Sequence, residues 1–464
     1  MYHLAVKNDK ILHSNWIGFG GIYHAFMFQK DDDGREYTKE QCETELARVY
    51  NMRLRLARTY YRYEYSHTAD GFWDWDSQDM RALSRWCKCL QDHGIDVALQ
   101  ACWWCPNDIT NSPFSLGTND WGEMCRRYGN WVSESVHQIV EVCGNINVKY
   151  LMLFTEPGWT SEHLPEGLEQ YDAWLDCARA AHNALVRDGR RHLVKLVGPN
   201  EGSTDTSDMV KWTAEHANDI IDIYSSHNYI QHTNYDTDTY DEWVDWIKRG
   251  MDNCASTGKP YWFDEYGVVC FERDKIELPQ QLRWAKGLHA IHIALCNCAA
   301  INLGAQTTLI WSLFDQQWPN KHLNNDDCFF DGEHRHGIAP SLRKSAVPYP
   351  TYYGVTLLSR YLGGAGTAAY HTEHDRELHI AALQTETGED VFLIINSGGK
   401  PADVTVSCSS EVKRSLYRHL FDSAAVKPNE RAEIIRADKI LADIGCSFGD
   451  TLPPHSFAIY TTEH

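Results

Sequence analysis

Through the first three-quarters of the chain, apolar runs of strand length alternate with longer amphipathic stretches, the pattern of repeated βα units. Eight runs have strand length: Ile17–Phe26, Leu54–Tyr61, Ile95–Trp103, Val148–Thr155, Leu193–Gly198, Ile220–Ser226, Lys259–Glu265 and Thr308–Phe314. Helical periodicity follows each of them, over Lys39–Met52, Ser77–His93, Trp121–Val142, Leu168–Asp188, Ser207–Ala217, Asp238–Ser256, Pro279–Cys298 and Tyr352–Tyr361. Ser77 and Ser207 fit helix N-caps, and Pro279 fits a first turn. Gly94, Gly144, Gly258 and Gly363 stand where a helix ends in a left-handed residue. Eight strand–helix pairs predict a (β/α)8 TIM barrel. An open doubly wound sheet would carry a glycine-rich phosphate turn after its first strand, whereas Gly18, Gly20 and Gly21 lie within or at the mouth of that strand and open no helix.

After Gly366 the period shortens to two. Alternating runs at Leu378–Gln384, Val391–Asn396, Asp403–Ser407, Ser415–Phe421, Ala432–Ile435 and Phe457–Thr461 are separated by Gly, Pro, Asn and Asp turns, which predicts an antiparallel β-sandwich. The junction at 362–368 is short and holds Gly363, Gly364 and Gly366. The predicted organisation is therefore a barrel over residues 1–362 and a C-terminal sandwich over 363–464, packed against each other.

Composition narrows the function. The chain of 464 residues has a formal charge of −21, which excludes a protein that grips polyanions, because a nucleic-acid backbone or an anionic membrane is held by clustered Lys and Arg. No stretch approaches ~18 uninterrupted apolar residues, so no membrane span is expected. The 17 Trp and 24 Tyr fit either an aromatic-lined cleft or a large aromatic core. The 15 Cys have no zinc-knuckle spacing, and the polar stretch Met1 to Ser14 lacks the basic and apolar regions of a secretion signal. Free thiols in a reducing cytoplasm are the expectation, unless a leader has been removed. The oligomeric state, a homo-oligomer included, is left open.

In a barrel of this kind the active site lies at the C-terminal ends of the strands. Two glutamates close strand candidates: Glu156 after the fourth, in Phe154-Thr-Glu-Pro, and Glu265 after the seventh, in Phe263-Asp-Glu-Tyr-Gly. Strict alternation puts Tyr261, Phe263 and Glu265 on one face and Trp262, Asp264 and Tyr266 on the other, so Asp264 and Glu265 are not both expected in the site. Two facing carboxyls perform acetal chemistry: one held neutral protonates the leaving oxygen, and one held ionised attacks or stabilises the anomeric carbon.

Glu-Pro closing strand four and Asp-Glu-Tyr-Gly closing strand seven resemble the acid/base and nucleophile of glycoside hydrolase clan A, the 4/7 retaining barrels. Arg58, closing strand two, is similar to the clan's arginine that hydrogen-bonds the nucleophile. His227 and Tyr229 close strand six, where the clan contacts substrate or nucleophile, and Trp311 stands on strand eight, where it places a sugar-stacking tryptophan. Pro350-Thr-Tyr-Tyr-Gly-Val and Leu452-Pro-Pro-His-Ser-Phe resemble the last barrel helix and the closing strand of members that append a C-terminal β-sandwich. The resemblance covers nearly the whole chain. It implies a retaining β-glycoside hydrolase that acts on oligosaccharides or glycosides by double displacement, with Glu265 as nucleophile, Glu156 as acid/base and no cofactor or metal.

The clan's Asn before the acid/base is replaced by Thr155, so the sugar 2-hydroxyl is read by another group or has the axial manno configuration. Strand five ends in Asn200-Glu201, which makes Glu201 a rival acid/base and both residues candidate substrate contacts. Trp103, Trp104, Trp159 and Trp318 at or beyond strand ends are candidate sugar platforms. Asp315 opens the loop after strand eight and is a further candidate contact. That loop also carries His322, Asp326, Asp327, Asp331, His334 and His336, whose spacing matches no fixed metal frame and reads as a loop framing the cleft. A non-catalytic carbohydrate-binding barrel and a transglycosylase using the same two glutamates are the alternatives.

Overall fold

The computed structural model describes residues 2–30, 36–68, 71–101, 110, 112–157, 164–202, 208–230, 238–268, 279–317, 329–330, 333–334, 337–342, 345–364, 367–373, 375, 377–442 and 444–462. The chain opens on strand β1 (Tyr2–His13), followed by β2 (Gly18–Ile22), β3 (Leu56–Tyr61), β4 (Asp96–Ala101), β5 (Val148–Met152), β6 (Lys195–Glu201), β7 (Ile223–Ile230), β8 (Tyr261–Val268) and β9 (Thr307–Ile310). Strands β2 to β9 close in chain order into an eight-stranded parallel barrel. Around it stand α1 (Lys39–Met52), α2 (Gln78–Gln91), α3 (Trp121–Val136), α4 (Gln170–Arg187), α5 (Met209–His216), α6 (Tyr240–Cys254), α7 (Pro279–Leu303) and α8 (Pro350–Tyr361).

Local chemistry sets the helix ends. Thr38 and Gln41 form a reciprocal capping box on α1, Ser77 accepts from the Met80 amide to start α2, and Asp120 accepts from Gly122 and Glu123 to start α3. The final predicted turn of α3, His137–Val142, is wound as a π-helix. Helices α3 and α4 approach so closely at Gly129 that a Cβ there would lie 2.4 Å from the Ala180 carbonyl oxygen. Only glycine allows that contact.

The second domain consists of β13 (Ala368–Glu373), β14 (Leu378–Gln384), β15 (Asp390–Asn396), β16 (Ala402–Val412), β17 (Leu416–Asp422), β18 (Lys439–Leu441), β19 (Gly445–Leu452) and β20 (Ser456–Thr461). Between the barrel and this domain a small antiparallel sheet, β10 (Gln316–Gln317), β11 (Phe329–Phe330) and β12 (Glu333–His334), occupies part of the loop after β9. The larger sheet has the order β18-β17-β20-β15-β14-β13-β1-β16-β19. Its two ends nevertheless meet: Asp450 on β19 is 2.8 Å from Lys439 Nζ on β18 and 2.9 Å from Arg418 Nη1 on β17. The sheet thus folds over into a sandwich around a core that includes Val6, Ile380, Phe392, Ile394, Val406, Phe448 and Tyr460.

Two expectations are corrected here. Tyr2–His13, placed in the barrel by the 1–362 boundary, pairs antiparallel with β13 and parallel with β16, so it belongs to the sandwich. Its period-two burial of Leu4 and Val6 is the reason, since both side chains fill the sandwich core. Ala432–Ile435 is a turn and loop, with Ala432 at φ 50°, and both edge strands were missed: Lys439–Leu441, only three residues long, and Gly445–Leu452, whose mostly polar residues give little alternation. The outer face of the sandwich packs on the barrel through Leu383, Leu393, Ile395, Phe421 and Phe457, which join the barrel's own core. Two polar contacts fix the same interface: His379 Nε2 lies 2.8 Å from Asp238 Oδ2, and Asn302 Nδ2 donates to the Ile380 carbonyl.

Candidate active site

Alternation along β3 sends Leu56, Arg58 and Tyr60 into the barrel, while Ala57 and Tyr61 pack outward against the helices. Arg58 has no exposed side-chain surface. A cation buried this way is tolerated only with a full set of acceptors. Its two terminal nitrogens have them, while the buried Nε has none among the described residues: Nη1 donates to Glu265 Oε2 at 2.9 Å and to the Asp264 carbonyl at 3.1 Å, and Nη2 donates to Tyr60 Oη and Thr155 Oγ1, each at 3.1 Å. Asn200 Oδ1 accepts a longer bond from Nη2 at 3.4 Å. Burial works against its charge, but Tyr60 and the carboxylates of Glu265 and Asp264 raise its pKa above the usual arginine value.

The second oxygen of Glu265, Oε1, accepts from the Tyr229 hydroxyl. Burial and the charge of Glu265 push the Tyr229 pKa well up, so it remains a donor. Both oxygens of Glu265 are therefore held by donors.

Asp264 also reaches the site, which overturns the expectation from strict alternation. Trp262 points into the barrel and Phe263 outward. Beyond them the pairing of β8 slips: Phe263 and Tyr266 stand opposite Ser226 and Asn228 on β7, and opposite Thr308 and Ile310 on β9. Three steps on β8 match two on each neighbour, which is a β-bulge at Asp264-Glu265. The bulge aims both acids inward. Asp264, with no exposed surface, accepts from Asn200 Nδ2 at 2.6 Å and lies 3.1 Å from His227 Nδ1. Burial opposes its charge, but the His227 hydrogen bond and charge and the nearby Arg58 hold its pKa below the usual carboxylate value.

The other nitrogen of the same imidazole, Nε2, is 3.0 Å from Glu156 Oε1. Burial would lower the His227 pKa. The charge of Glu265 and the hydrogen bonds to Asp264 and Glu156 outweigh it and raise the value to about 10. Glu156 itself lies just past β5 in a left-handed conformation, φ 49°, with its amide donating to the Asn200 carbonyl. Asn200 is left-handed as well, φ 61°. Two such non-glycine residues side by side are costly and are found where surrounding structure imposes them for function. Gly202 makes room: a Cβ there would stand 2.9 Å from Glu156 Oε1.

The structure thus brings together Arg58, Thr155, Glu156, Asn200, His227, Tyr229 and Glu265. Trp311 joins them at the rim, 8% exposed and edge-on to Tyr60 and His24. Two candidates are placed elsewhere. Glu201 faces outward, and its two oxygens accept from the Met209 and Val210 amides, so it caps α5 instead of facing substrate. The reason is the extra residue at Asn200, where the register of β6 against β7 slips and turns the following side chain to the helix side. Asp315 accepts from the Gly337 amide at 2.8 Å and the Tyr349 hydroxyl at 2.7 Å, bracing the loop after β9. Trp103, Trp104, Trp159, Trp318, His322, Asp326, Asp327, Asp331 and His336 lie outside the described residues, and His334 falls in β12. Among the described residues no three His, Cys, Asp or Glu side chains come together as a metal site.

Sequence reasoning missed Asp264, Tyr60 and Gln100. Parity from Arg58 would have found Tyr60. Gln100 sits opposite Tyr60 in register on β4, fully buried, with neither amide atom hydrogen-bonded.

No family model matches the sequence, and no curated protein matches it. The structure is similar to that of a GH30 endoxylanase from Clostridium papyrosolvens C71, with a TM-score of 0.65 and 12% identity over 100% of both chains. It is also similar to an α-L-arabinofuranosidase from Thermotoga maritima, with a TM-score of 0.67 and 13% identity over 99% of each chain. The fold is the one these glycosidases have. A conserved exported protein from Bacteroides fragilis shares it too, with a TM-score of 0.69 and 12% identity over 99% of each chain.

Proposed function

We propose that the protein is a retaining β-glycoside hydrolase in which Glu265 attacks the anomeric carbon and Glu156 serves first as acid and then as base. The observation that carries this reading is the environment of Glu265. Its oxygens are held by Arg58 and Tyr229, so its charge is fixed in place and aimed from the end of strand seven, while Glu156 enters from the end of strand four. A carboxylate gripped this way suits direct attack, whereas an inverting enzyme needs a base with room for a water. The similarity to the xylanase and the arabinofuranosidase supports a carbohydrate substrate.

Thr155 bears on the sugar. Its hydroxyl is bound by Arg58 and stays within the shell of that residue. A group other than an Asn at this position must read the 2-hydroxyl, and a manno configuration is one way to meet that condition. The test is a panel of aryl glycosides with β-xylosyl, β-glucosyl, β-mannosyl, β-galactosyl and α-L-arabinofuranosyl groups. Turnover of at least one β-glycoside is expected. Binding without turnover across the panel would favour a non-catalytic carbohydrate-binding barrel, and gluco turnover with no manno turnover would dispose of the mannoside preference.

The described cysteines support a reducing compartment. Among the described residues no disulfide is formed, even between Cys125 and Cys177, whose sulfurs lie 3.7 Å apart. Among the described residues no helix is long and apolar enough to cross a membrane. Small glycosides and imported oligosaccharides in the cytoplasm are the substrates that fit this setting.

A further inference from the structure

Asp264 is a buried acid that double displacement by two glutamates does not require. It is nonetheless wired to the acid/base through one side chain. Asn200 Nδ2 fixes Asp264 Oδ2, Asp264 Oδ1 meets His227 Nδ1 at 3.1 Å, and His227 Nε2 meets Glu156 Oε1 at 3.0 Å. Every member of this chain except Glu156 is at most 1% exposed. Bulk water therefore has little access to the protons along it.

We propose that Asp264 and His227 form a proton-holding pair for Glu156, storing on the imidazole the proton that Glu156 delivers to the leaving group. This rests on the two-glutamate reading above and extends it to a third acid. In the resting site His227 is an imidazolium, donating from Nδ1 to Asp264 and from Nε2 to Glu156. As Glu265 forms its bond to the anomeric carbon and the bond to the leaving oxygen breaks, the proton on His227 Nε2 passes to Glu156 and from Glu156 to that oxygen. The site then holds a Glu156 carboxylate, a neutral His227 still donating from Nδ1 to Asp264, and a glycosyl ester on Glu265. When water attacks the ester, its proton returns through Glu156 to His227 and the Glu265 carboxylate is released. No proton is gained or lost over the cycle beyond those of the water and the two products.

The charges around the imidazole favour this order. Glu156 meets it from the loop after β5 and Asp264 from β8, Glu265 on the same strand acts on it through its charge, and Tyr229 stands edge-on to it from its own strand. Of these, Glu265 loses its charge when the ester forms. The hold on the His227 proton weakens at that step and is restored when the ester is cleaved.

The proposal has a pH signature. In the wild type the basic limb of kcat/KM reports loss of the His227 imidazolium proton, whose pKa, despite burial, the surrounding carboxylates raise to about 10. In His227→Gln that proton resides on a carboxyl alone, and the basic limb moves toward acid by at least ~1 unit. Asp264→Asn keeps the shape, removes the charge that supports the imidazolium, and moves the limb in the same direction. It serves as the second variant where His227→Gln does not fold. The profiles are measured with an aryl glycoside whose leaving group needs protonation. A basic limb unmoved or moved upward in the folded variants overturns the proposal, since a merely structural role would lower the rate without moving the limb. If Glu265→Ala or Glu156→Ala retains full activity, the two-glutamate reading itself fails, an outcome separate from an unmoved limb in enzymes that depend on both glutamates.

Discussion

Glu265→Ala is expected to lose turnover by about 10⁴-fold or more while remaining folded. The residue forms the covalent bond in the proposed reaction, and no neighbour can replace it. Asp264 is turned to Asn200 and His227, and Tyr229 is a protonated phenol. Removing the carboxylate leaves Arg58 without the partner that lies 2.9 Å from its Nη1, but four other oxygens still accept from its two terminal nitrogens. Some loss of stability is therefore expected alongside the loss of rate, because part of a buried ion pair is gone. Azide added to the variant should occupy the space of the missing carboxylate, attack the same face of the sugar, and yield a glycosyl azide of inverted anomeric configuration. Activity at the wild-type level, or an azide product of retained configuration, would show that another group attacks.

Glu156→Ala has the second-largest expected effect, and it depends on the substrate. For a glycoside whose leaving group requires a proton, kcat/KM should fall by about 10² to 10⁴, the usual worth of a positioned general acid. For a dinitrophenyl glycoside, whose leaving group departs unprotonated, kcat/KM should change little. Its turnover should still slow, because the same residue activates the water that cleaves the ester, so a burst of phenol followed by a slow steady state is expected. Equal losses for both kinds of leaving group would remove Glu156 from the acid role. Glu201, the rival acid, caps α5 in the structure and is not placed to take that role.

Much of this arrangement was legible in the chain because a barrel converts sequence position into spatial position. A run that ends near Glu156 and one that ends at Glu265 lead to the same rim, and inward parity on β3 delivers Arg58 between them. What escaped were departures from period two. Asp264 was discarded because alternation forbids adjacent inward residues, and only the pairing of β8 with both neighbours reveals the bulge that permits them. Glu201 was misplaced for the same reason one strand pair earlier, where Asn200 takes a left-handed turn. Strand β1 went unread because only Leu4 and Val6 of its twelve residues are buried, so the stretch reads as polar. Register is a property of strand pairs, and a single strand's sequence does not contain it.

The central claim is that Glu265 and Glu156 carry out a double displacement. The measurement that tests it most directly is proton NMR of the sugar first released from an aryl β-glycoside, recorded before mutarotation equilibrates the anomers. The account predicts that the β-anomer appears first and the α-anomer only later. An α-anomer appearing first would mean a single displacement by water, and Glu265 would then be a base instead of a nucleophile.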